Sequence, residues 1–273
     1  MSLLKNTKFL LRRYRIIPNK LLGQNFIVDS SIFQCMVDYA SLDQSNAVLD
    51  IGAGLGFLTD FLADKCEQVL AVEADTRLVK VLREQLKQLS NIKIIEGDVL
   101  KVQIPPFNKV VSIPPYHISS RLLPWLFNKD FDCGVLVFQK EFANRLIASV
   151  GSEDYGWLTV IAYYYVEVEL LDEVLRWMFY PQPEVDSVIV RLKPKKPPPF
   201  TLENVTLFKQ LVRSLFTQRN RKVRNAVLSF LRGTRVITAE NMIKMADTPS
   251  FQDKRVRELA PEDFGAFANA LVK

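Results

Sequence analysis

Cysteine and histidine are scarce in this chain of 273 residues, which contains three cysteines and one histidine. Cys35, Cys66 and Cys133 are widely spaced and odd in number, which argues against a disulfide framework and favours buried thiols. Because such thiols fit a reducing compartment, we expect a cytoplasmic protein. The chain has a single histidine, His117, and no Cys-x-x-Cys pair, so we expect no metal site.

Long apolar runs are also missing, and none approaches the roughly 18 to 20 residues that a membrane-spanning helix requires. The hydrophobic fraction of 48% is nevertheless large enough to bury one full core and a smaller second one. The composition therefore indicates a soluble globular protein without a membrane partner, and we expect a monomer.

Acidic residues are absent from the first 20 positions, which are basic. Such a segment fits either a transit peptide or an arm that contacts phosphates, and we favour the arm. It lacks the long apolar core and the small-residue cleavage site of a signal peptide. The net charge of +6 agrees with a polyanionic partner, although a balance this modest is also common in proteins that bind no nucleic acid.

Short apolar runs alternate along the chain with segments of helical periodicity, such as 57–66 and 76–89. This alternation predicts an α/β fold with a doubly wound, largely parallel sheet and helices on both faces. The runs that predict strands are AVLDIG (47–52), QVLAVE (68–73), IKIIEGD (92–98), KVVSI (109–113) and GVLVFQK (134–140).

A basic, proline-rich stretch, KPKKPPPF at 193–200, follows the apolar run SVIVRL at 187–192. It contains four prolines and shows no helix or strand pattern, so it indicates a stiff linker. We therefore expect a first domain at 1–192 and a small helical domain at 201–273.

A glycine-rich turn joins the first of these strands to a helix in VLDIGAGLGFLTDFLA, residues 48–63. Gly52, Gly54 and Gly56 let the backbone turn tightly and approach a ligand closely, and the helix that follows offers free N–H groups. A nicotinamide dinucleotide is disfavoured because Phe57 occupies the third glycine position of the G-x-G-x-x-G fingerprint. The turn therefore indicates a site for a different nucleotide-like ligand.

Two carboxylates follow at the ends of the next two predicted strands. Glu73 ends the second strand, where a carboxylate can accept hydrogen bonds from both hydroxyls of a ribose. Asp98 ends the third strand, where it can accept a hydrogen bond from an adenine amino group. Either acid alone fits a helix cap or a solvated position equally well. Together, beside a glycine turn, they predict a slot for adenosine.

The fourth strand leads into two prolines in VVSIPPYHISS, residues 110–120. Pro114 and Pro115 remove two backbone donors, so the chain must leave the sheet in a stiff turn. Because the turn follows a strand end, we expect it to face the adenosine slot and to present Tyr116 there.

This combination resembles the S-adenosylmethionine-dependent amino-methyltransferases. Their motif at this place is Asn, Asp or Ser, then Pro or another apolar residue, then Pro, then Tyr or Phe. In that family the polar side chain and a backbone carbonyl accept hydrogen bonds from the target amine, and the aromatic ring stacks on the base. Two acceptors orient the lone pair of an adenine N6 towards the methyl group, so orientation is the main catalytic device. The resemblance implies S-adenosylmethionine as cofactor and a Rossmann-like methyltransferase sheet.

Four further segments resemble, in order and spacing, the ribosomal RNA adenine N6,N6-dimethyltransferases that act on small-subunit RNA. By that resemblance Gln24, Asn25 and the backbone of Ile27 help to close the cofactor site. Tyr116 stacks on the flipped adenine and Phe179 packs on its other side, although a buried core role for Phe179 is the alternative. The segments are LLGQNFIVD (21–29), FQKEFANRL (138–146), DYGWLTV (154–160) and FYPQPEVDSVIVRLKP (179–194).

The chain departs from the family at Ile113, which stands where the Asn-Leu-Pro-Tyr motif has its amide. A shift of one residue would offer Ser112 as the acceptor instead, and the resemblance implies that Ser112 and Ile113 both contact the cofactor. In either register the amine loses some orientation, and the loss of one such contact commonly costs about 3 kcal/mol in the transition state. His117, after Tyr116, fits either a contact to a substrate phosphate or base, or a solvated turn position.

Basic residues without any acid mark the stretch from 209 to 235. A solvated helix face normally mixes charges of both signs, so this stretch favours a surface for the RNA backbone. Reaction at N6 also requires the base to be turned out of its stack. The basic residues are Lys209, Arg213, Arg219, Arg221, Lys222, Arg224, Arg232 and Arg235.

Two classes of function fit these sequence features. The first is an enzyme that methylates adjacent adenines of small-subunit ribosomal RNA, free or in a pre-30S-like particle. The second is an RNA-binding assembly factor of the same ancestry that has lost most of its activity through Ile113. We favour the enzyme because the glycine turn, Glu73 and Asp98 are all present. A methylase of large-subunit RNA or of DNA is a third and weaker interpretation.

Overall fold

The computed structural model describes residues 2–234 and 240–272. The chain divides into two compact units, of which the first comprises Met1–Ala143 and Val168–Pro194 and the second Asn144–Glu167 and Lys195–Lys273. The structure thus packs residues 144–167 with the C-terminal helices, whereas the sequence pattern placed them in the first domain. The division into functional domains at 193–200 stays a prediction. None of the described helices has both the length and the apolar character needed to cross a membrane.

The first unit is built on a mixed sheet in which seven described strands are joined edge to edge. In spatial order these are β4 (Ile92–Glu96), β3 (Gln68–Glu73), β2 (Ala47–Ile51), β5 (Lys109–Ser112), β6 (Cys133–Gln139), β9 (Ser187–Pro194) and β7 (Val166–Val174), numbered in chain order.

The strand order explains where a ligand can bind. From β2 the chain winds outward through β3 to β4 and then returns to β5 on the other side of β2, and all of these neighbours are parallel. This reversal leaves a crevice at the carboxyl ends of β2 and β5, where open α/β sheets bind their ligands. The predicted doubly wound sheet is confirmed, with an antiparallel addition in which β9 pairs with β6.

Apolar residues fill both faces of the central strands, as a sheet covered by helices requires. Val48, Leu70 and Val111, for example, are fully buried. The helices of this unit are α1 (Leu3–Arg13), α2 (Ser31–Ala40), α3 (Phe57–Ala63), α4 (Thr76–Gln85), α5 (Ser119–Leu126) and the start of α6 (Lys140–Leu146). Short 3-10 helices lie at Lys20–Leu22, Tyr116–Ile118 and Arg176–Met178.

A two-stranded antiparallel sheet links distant parts of the first unit. It pairs β1 (Phe26–Ile27) with β8 (Phe179–Tyr180). The basic N-terminal segment forms α1, which buries Leu10 and Leu11 in an apolar cluster that also contains Phe26. The segment therefore packs against the unit through its apolar face, and its contact with phosphates stays a prediction.

The second unit consists of helices, namely α7 (Trp157–Tyr165), α8 (Val205–Phe216), α9 (Val223–Thr234), α10 (Glu240–Ala246) and α11 (Pro261–Ala270), with a 3-10 helix at Val256–Glu258. The side chain of Asn204 caps α8 by accepting a hydrogen bond from the Leu207 amide at 2.9 Å.

The proline-rich stretch differs from the expected linker, because β9 continues to Pro194. At its other end the Phe200 ring packs against Tyr164 and Phe208, so apolar contacts hold the segment in place.

Candidate functional site

The glycine turn lies at the crevice between β2 and β5. All three glycines have positive φ, at 76° for Gly52, 61° for Gly54 and 88° for Gly56, a region that side chains disfavour. A Cβ on Gly52 would lie 2.7 Å from Cδ of Pro115, so this glycine lets the proline turn pack directly against the glycine turn. A Cβ on Gly56 would lie 2.9 Å from Leu82 in α4, so this glycine lets the turn pack closely against that helix, and its predicted contact with the cofactor stays a prediction.

Glu73 is fixed beside this turn by two backbone amides. Its carboxylate accepts hydrogen bonds from Gly54 N at 2.9 Å and from Asp75 N at 2.8 Å. The side chain is only 8% exposed, and burial raises its pKa although the backbone amides favour the charged form. A carboxylate has about four lone-pair positions, so these amides do not use all of them and acceptor capacity remains for a ligand.

A cavity of about 340 Å³ opens between the glycine turn and the proline turn. Glu73 and Asp98 both line it, as predicted from their places at neighbouring strand ends. The Asp98 carboxylate is 36% exposed and accepts a hydrogen bond from the Leu100 amide at 3.0 Å. The cavity is therefore lined by one nearly buried carboxylate, Glu73, and one partly exposed carboxylate, Asp98.

A third carboxylate on the cavity wall, Asp50, was not predicted from the sequence. Asp50 is 1% exposed and accepts a hydrogen bond from the Thr59 hydroxyl at 2.7 Å. Burial raises its pKa to about 7, with a smaller contribution from the nearby Glu73 carboxylate. An acid inside the apolar strand VLDIG was the available signal, since an acid is rarely buried without a role or a partner.

The segment before β1 closes one side of the cavity. Gln24 accepts a hydrogen bond from the Asn19 amide at 2.8 Å and donates one to the Asp75 carboxylate at 2.8 Å. Gln24, Asn25 and Ile27 all line the cavity, which agrees with the positions that the resemblance implies for them. Asp75 was not predicted, and its pKa is lowered to about 2 chiefly by its hydrogen bonds to Arg77.

The proline turn brings Ile113 and Pro115 to the cavity, whereas Ser112 does not line it. The Ser112 side chain is fully buried and bridges to β2, accepting from Ile51 N at 3.0 Å and donating to Ile51 O at 2.7 Å. The predicted cofactor contact of Ser112 therefore needs correction, because its hydroxyl is committed inside the sheet. This arrangement favours the register that puts the half-buried Ile113 in the amide's position.

Tyr116 and Phe179 lie next to each other, and neither is among the described residues that line the cavity. Their ring centroids are 6.5 Å apart and the planes meet at 70°, so the rings contact edge to face. The Tyr116 hydroxyl shares a 2.6 Å hydrogen bond with Ser187, and burial raises its pKa to about 12. Phe179 is 2% exposed and belongs to the apolar core, as its alternative role requires. Stacking of both rings on a base stays a prediction, and it would require a rotation of one ring.

The basic residues of the second unit have partners that their sequence did not reveal. Lys222 pairs with Asp253 at 2.8 Å and Arg224 with Asp247 at 2.5 Å, so acids from a later segment offset part of the charge. Arg219 donates two hydrogen bonds to backbone carbonyls.

Three more members of the run are partly shielded. Arg213 lies over the Trp157 ring at 4.7 Å, Lys209 over the Tyr165 ring at 4.7 Å, and Arg221 donates to Gln218. Arg235 lies outside the described residues. The predicted RNA surface stays a prediction, and its charge is smaller than the acid-free run indicates.

Comparison with known proteins places the chain in a family. A family model described as ribosomal RNA adenine dimethylase matches residues 18–261. A probable ribosomal RNA small subunit methyltransferase A of Methanosarcina mazei is 37% identical over 262 residues, which cover 96% of each chain. A protein of the same description from Thermococcus onnurineus is 38% identical and covers 93% of this chain and 92% of its own length.

Solved structures agree with this placement. A dimethyladenosine transferase from Plasmodium falciparum matches with a TM-score of 0.76 and 27% identity, over 89% of this chain and 95% of that one. The 23S rRNA methyltransferase ErmE matches with a TM-score of 0.64 and 29% identity, over 91% of this chain and all of that one. The chain belongs to the ribosomal RNA adenine dimethylase family.

Proposed function

We propose that this chain transfers methyl groups from S-adenosylmethionine to the N6 amines of adjacent adenines in small-subunit ribosomal RNA. One observation carries the proposal: a single cavity is lined both by Glu73 and Asp98 and by Ile113 and Pro115 of the proline turn. The family match and the small-subunit descriptions of the relatives support the choice of substrate. We further propose that the protein acts as a cytoplasmic monomer on a pre-30S-like particle.

The residues around the cavity fit S-adenosylmethionine. Glu73 would hold the ribose hydroxyls with its remaining acceptor capacity, and Asp98 would hold the adenine amino group. The acidic lining suits a ligand that carries both an ammonium and a sulfonium. When bound, the cofactor supplies an electrophilic methyl group on that sulfonium.

The proline turn would orient the target amine. Prolines keep their carbonyls although they lack N–H groups, so the turn can offer backbone acceptors without competing donors. Ile113 adds an apolar surface and no acceptor, so orientation depends on the backbone and on aromatic stacking by Tyr116. Tyr116 is held for this task by its hydrogen bond to Ser187.

The departure at Ile113 favours a second candidate, an RNA-binding assembly factor with weak or lost methylation. Ile113 lines the cavity where the family's amide would stand, and the Ser112 hydroxyl is committed to β2. A factor of this kind would keep the RNA contacts and the cofactor slot while turning over slowly.

Mass spectrometry of small-subunit RNA incubated with the protein and isotope-labelled S-adenosylmethionine separates the two candidates. We expect two adjacent adenosines each to gain two labelled methyl groups. Tyr116→Ala should lower the rate by about tenfold to a hundredfold, because base stacking contributes about 1 to 3 kcal/mol. RNA that binds the protein but gains no label would reject the enzyme and leave the assembly factor.

A further inference from the structure

The charged residues around the cavity are unevenly distributed. Four carboxylates line it, from Asp50, Glu73, Asp75 and Asp98, whereas Arg121 is the one arginine or lysine among the described lining residues. Such a lining attracts a cationic cofactor and repels the phosphates of an RNA strand. A target base that enters the cavity must nevertheless bring its own phosphates to the rim.

Arg121 is suited to receive one of those phosphates. It lies in the first turn of α5, five residues after Tyr116, and its side chain is exposed. Among the described residues its guanidinium has no hydrogen bond or ion pair, whereas Arg13 and Arg83 of the same unit pair with glutamates. An uncommitted guanidinium on an acidic cavity offers a planar fork of donors that matches a phosphate.

His117, four residues before Arg121 in the sequence, also lines the cavity. The residue is exposed, lines the cavity and has its Nδ1 close to Gly23, on the segment that closes the opposite side. An imidazole can donate a hydrogen bond to a phosphate oxygen. The proline turn therefore leads directly from Tyr116, the predicted stacking ring, to two side chains that can hold an anion.

We propose that Arg121, with His117 beside it, binds a phosphodiester group next to the target adenosine and so positions the strand while the base enters the cavity. The proposal rests on the proposed function, because it takes RNA as the substrate. The cofactor's own carboxylate is a different anion that the same arginine can bind, and the experiment must separate the two.

The test compares Arg121→Ala with Lys87→Ala, a control that removes one exposed cation from the same unit away from the cavity. The probe is a hairpin RNA with two adjacent unpaired adenosines, titrated at several salt concentrations. We expect Arg121→Ala to weaken RNA binding by about tenfold and to reduce the salt slope by about one. Arg121→Lys should recover part of the loss, since it keeps the charge but not the fork.

A second RNA identifies the contact directly. Replacing the phosphate on one side of the target adenosine with an uncharged methylphosphonate should weaken binding to the parent protein about as much as Arg121→Ala does. It should have little further effect on that variant, because both changes remove the same contact. The proposal is overturned if the methylphosphonate weakens RNA binding equally in the parent protein and in Arg121→Ala, whichever side of the adenosine carries it.

Two other results are informative. If Arg121→Ala weakens binding of S-adenosylhomocysteine in calorimetry and leaves RNA binding equal to that of Lys87→Ala, the arginine holds the cofactor's carboxylate and the proposal fails. If the parent binds RNA through Arg121 but transfers no methyl group, the phosphate contact stands and the proposed enzyme activity fails.

Discussion

The acid beside the glycine turn of the first unit and the basic run of the second unit are held in different ways. In the first, the Glu73 carboxylate is nearly buried and is fixed by two backbone amides that cannot move away. In the second, exposed cations such as Lys222 and Arg224 pair with exposed aspartates. Exposed ion pairs contribute little stability, typically about 0 to 1 kcal/mol each, and they exchange readily.

This difference indicates two kinds of recognition. A buried, preorganised carboxylate selects one ligand geometry, because its remaining lone pairs point in fixed directions. Exposed cations select only negative charge, since an RNA phosphate can displace an aspartate partner at small cost. We therefore expect the first unit to determine cofactor identity and the second to supply salt-dependent affinity.

The largest effect should come from reversing charge in the second unit. Changing Arg221, Lys222 and Arg224 together to Glu should weaken RNA binding by roughly several hundredfold at low salt and flatten the salt slope. The reason is that three phosphate contacts would become repulsions. Filter binding at several salt concentrations measures both quantities.

A matched control reverses Lys80, Lys87 and Lys93, which are exposed residues of the first unit, to Glu. It changes the net charge by the same amount. Circular dichroism should show both variants folded, since the lost ion pairs are exposed. If the two triple variants bind RNA equally, only the net charge matters and the run at 209–235 is a solvated surface.

The next effect concerns the buried carboxylate. Glu73→Ala should weaken S-adenosylmethionine binding by more than about tenfold, because the ribose loses a contact to both of its hydroxyls. It also leaves the amides of Gly54 and Asp75 without their acceptor, so the glycine turn loses its support. Isothermal calorimetry measures the affinity, and Glu73→Gln, which keeps an oxygen acceptor, should lose less. An unchanged affinity in Glu73→Ala would place the cofactor elsewhere.

The effect of Ile113→Asn should be smaller and opposite in sign. If Ile113 occupies the amide's position, an asparagine restores a second acceptor for N6 and should recover part of the loss of about 3 kcal/mol, which raises the single-turnover rate by about tenfold. Cofactor affinity should change little, because the contact acts mainly on the reacting amine. Ile113→Leu, which adds no acceptor, is the control. A parent that already methylates quickly and an Asn variant that is no faster would mean that backbone carbonyls alone orient the amine.

Sequence alone predicted the parts of this site that depend on backbone topology. The glycine turn, Glu73 and Asp98 follow strands whose apolar pattern is clear, and parallel strands bring their carboxyl ends to one edge. Ser112 was harder, because a serine at a strand end points either to the ligand or into the sheet, and only the bond to Ile51 decides it.

Residues that depend on long-range packing were not predicted. The ion partners of Lys222 and Arg224 lie 31 and 23 residues away, beyond any local pattern. Arg121 could not be singled out from the sequence either, because its proposed role depends on the carboxylates that line the same cavity. Asp50 was visible as an acid within a buried strand, but its contact with Thr59 requires the helix after the glycine turn.

The smallest effect should come from the aspartates that neutralise the basic run. Asp247→Asn and Asp253→Asn together should free Arg224 and Lys222. RNA binding should become about threefold to tenfold stronger at moderate salt, because the two cations no longer have to give up an aspartate before they bind a phosphate. The free energy of unfolding should fall by less than about 1 kcal/mol, since both pairs are exposed. Glu96→Gln, which frees Arg83 in the first unit, is the control with the same kind of change. If the double variant binds RNA no better than the parent while denaturant titration shows it folded, the freed cations do not face the RNA, and the surface must be sought among Lys209, Arg213 and Arg219.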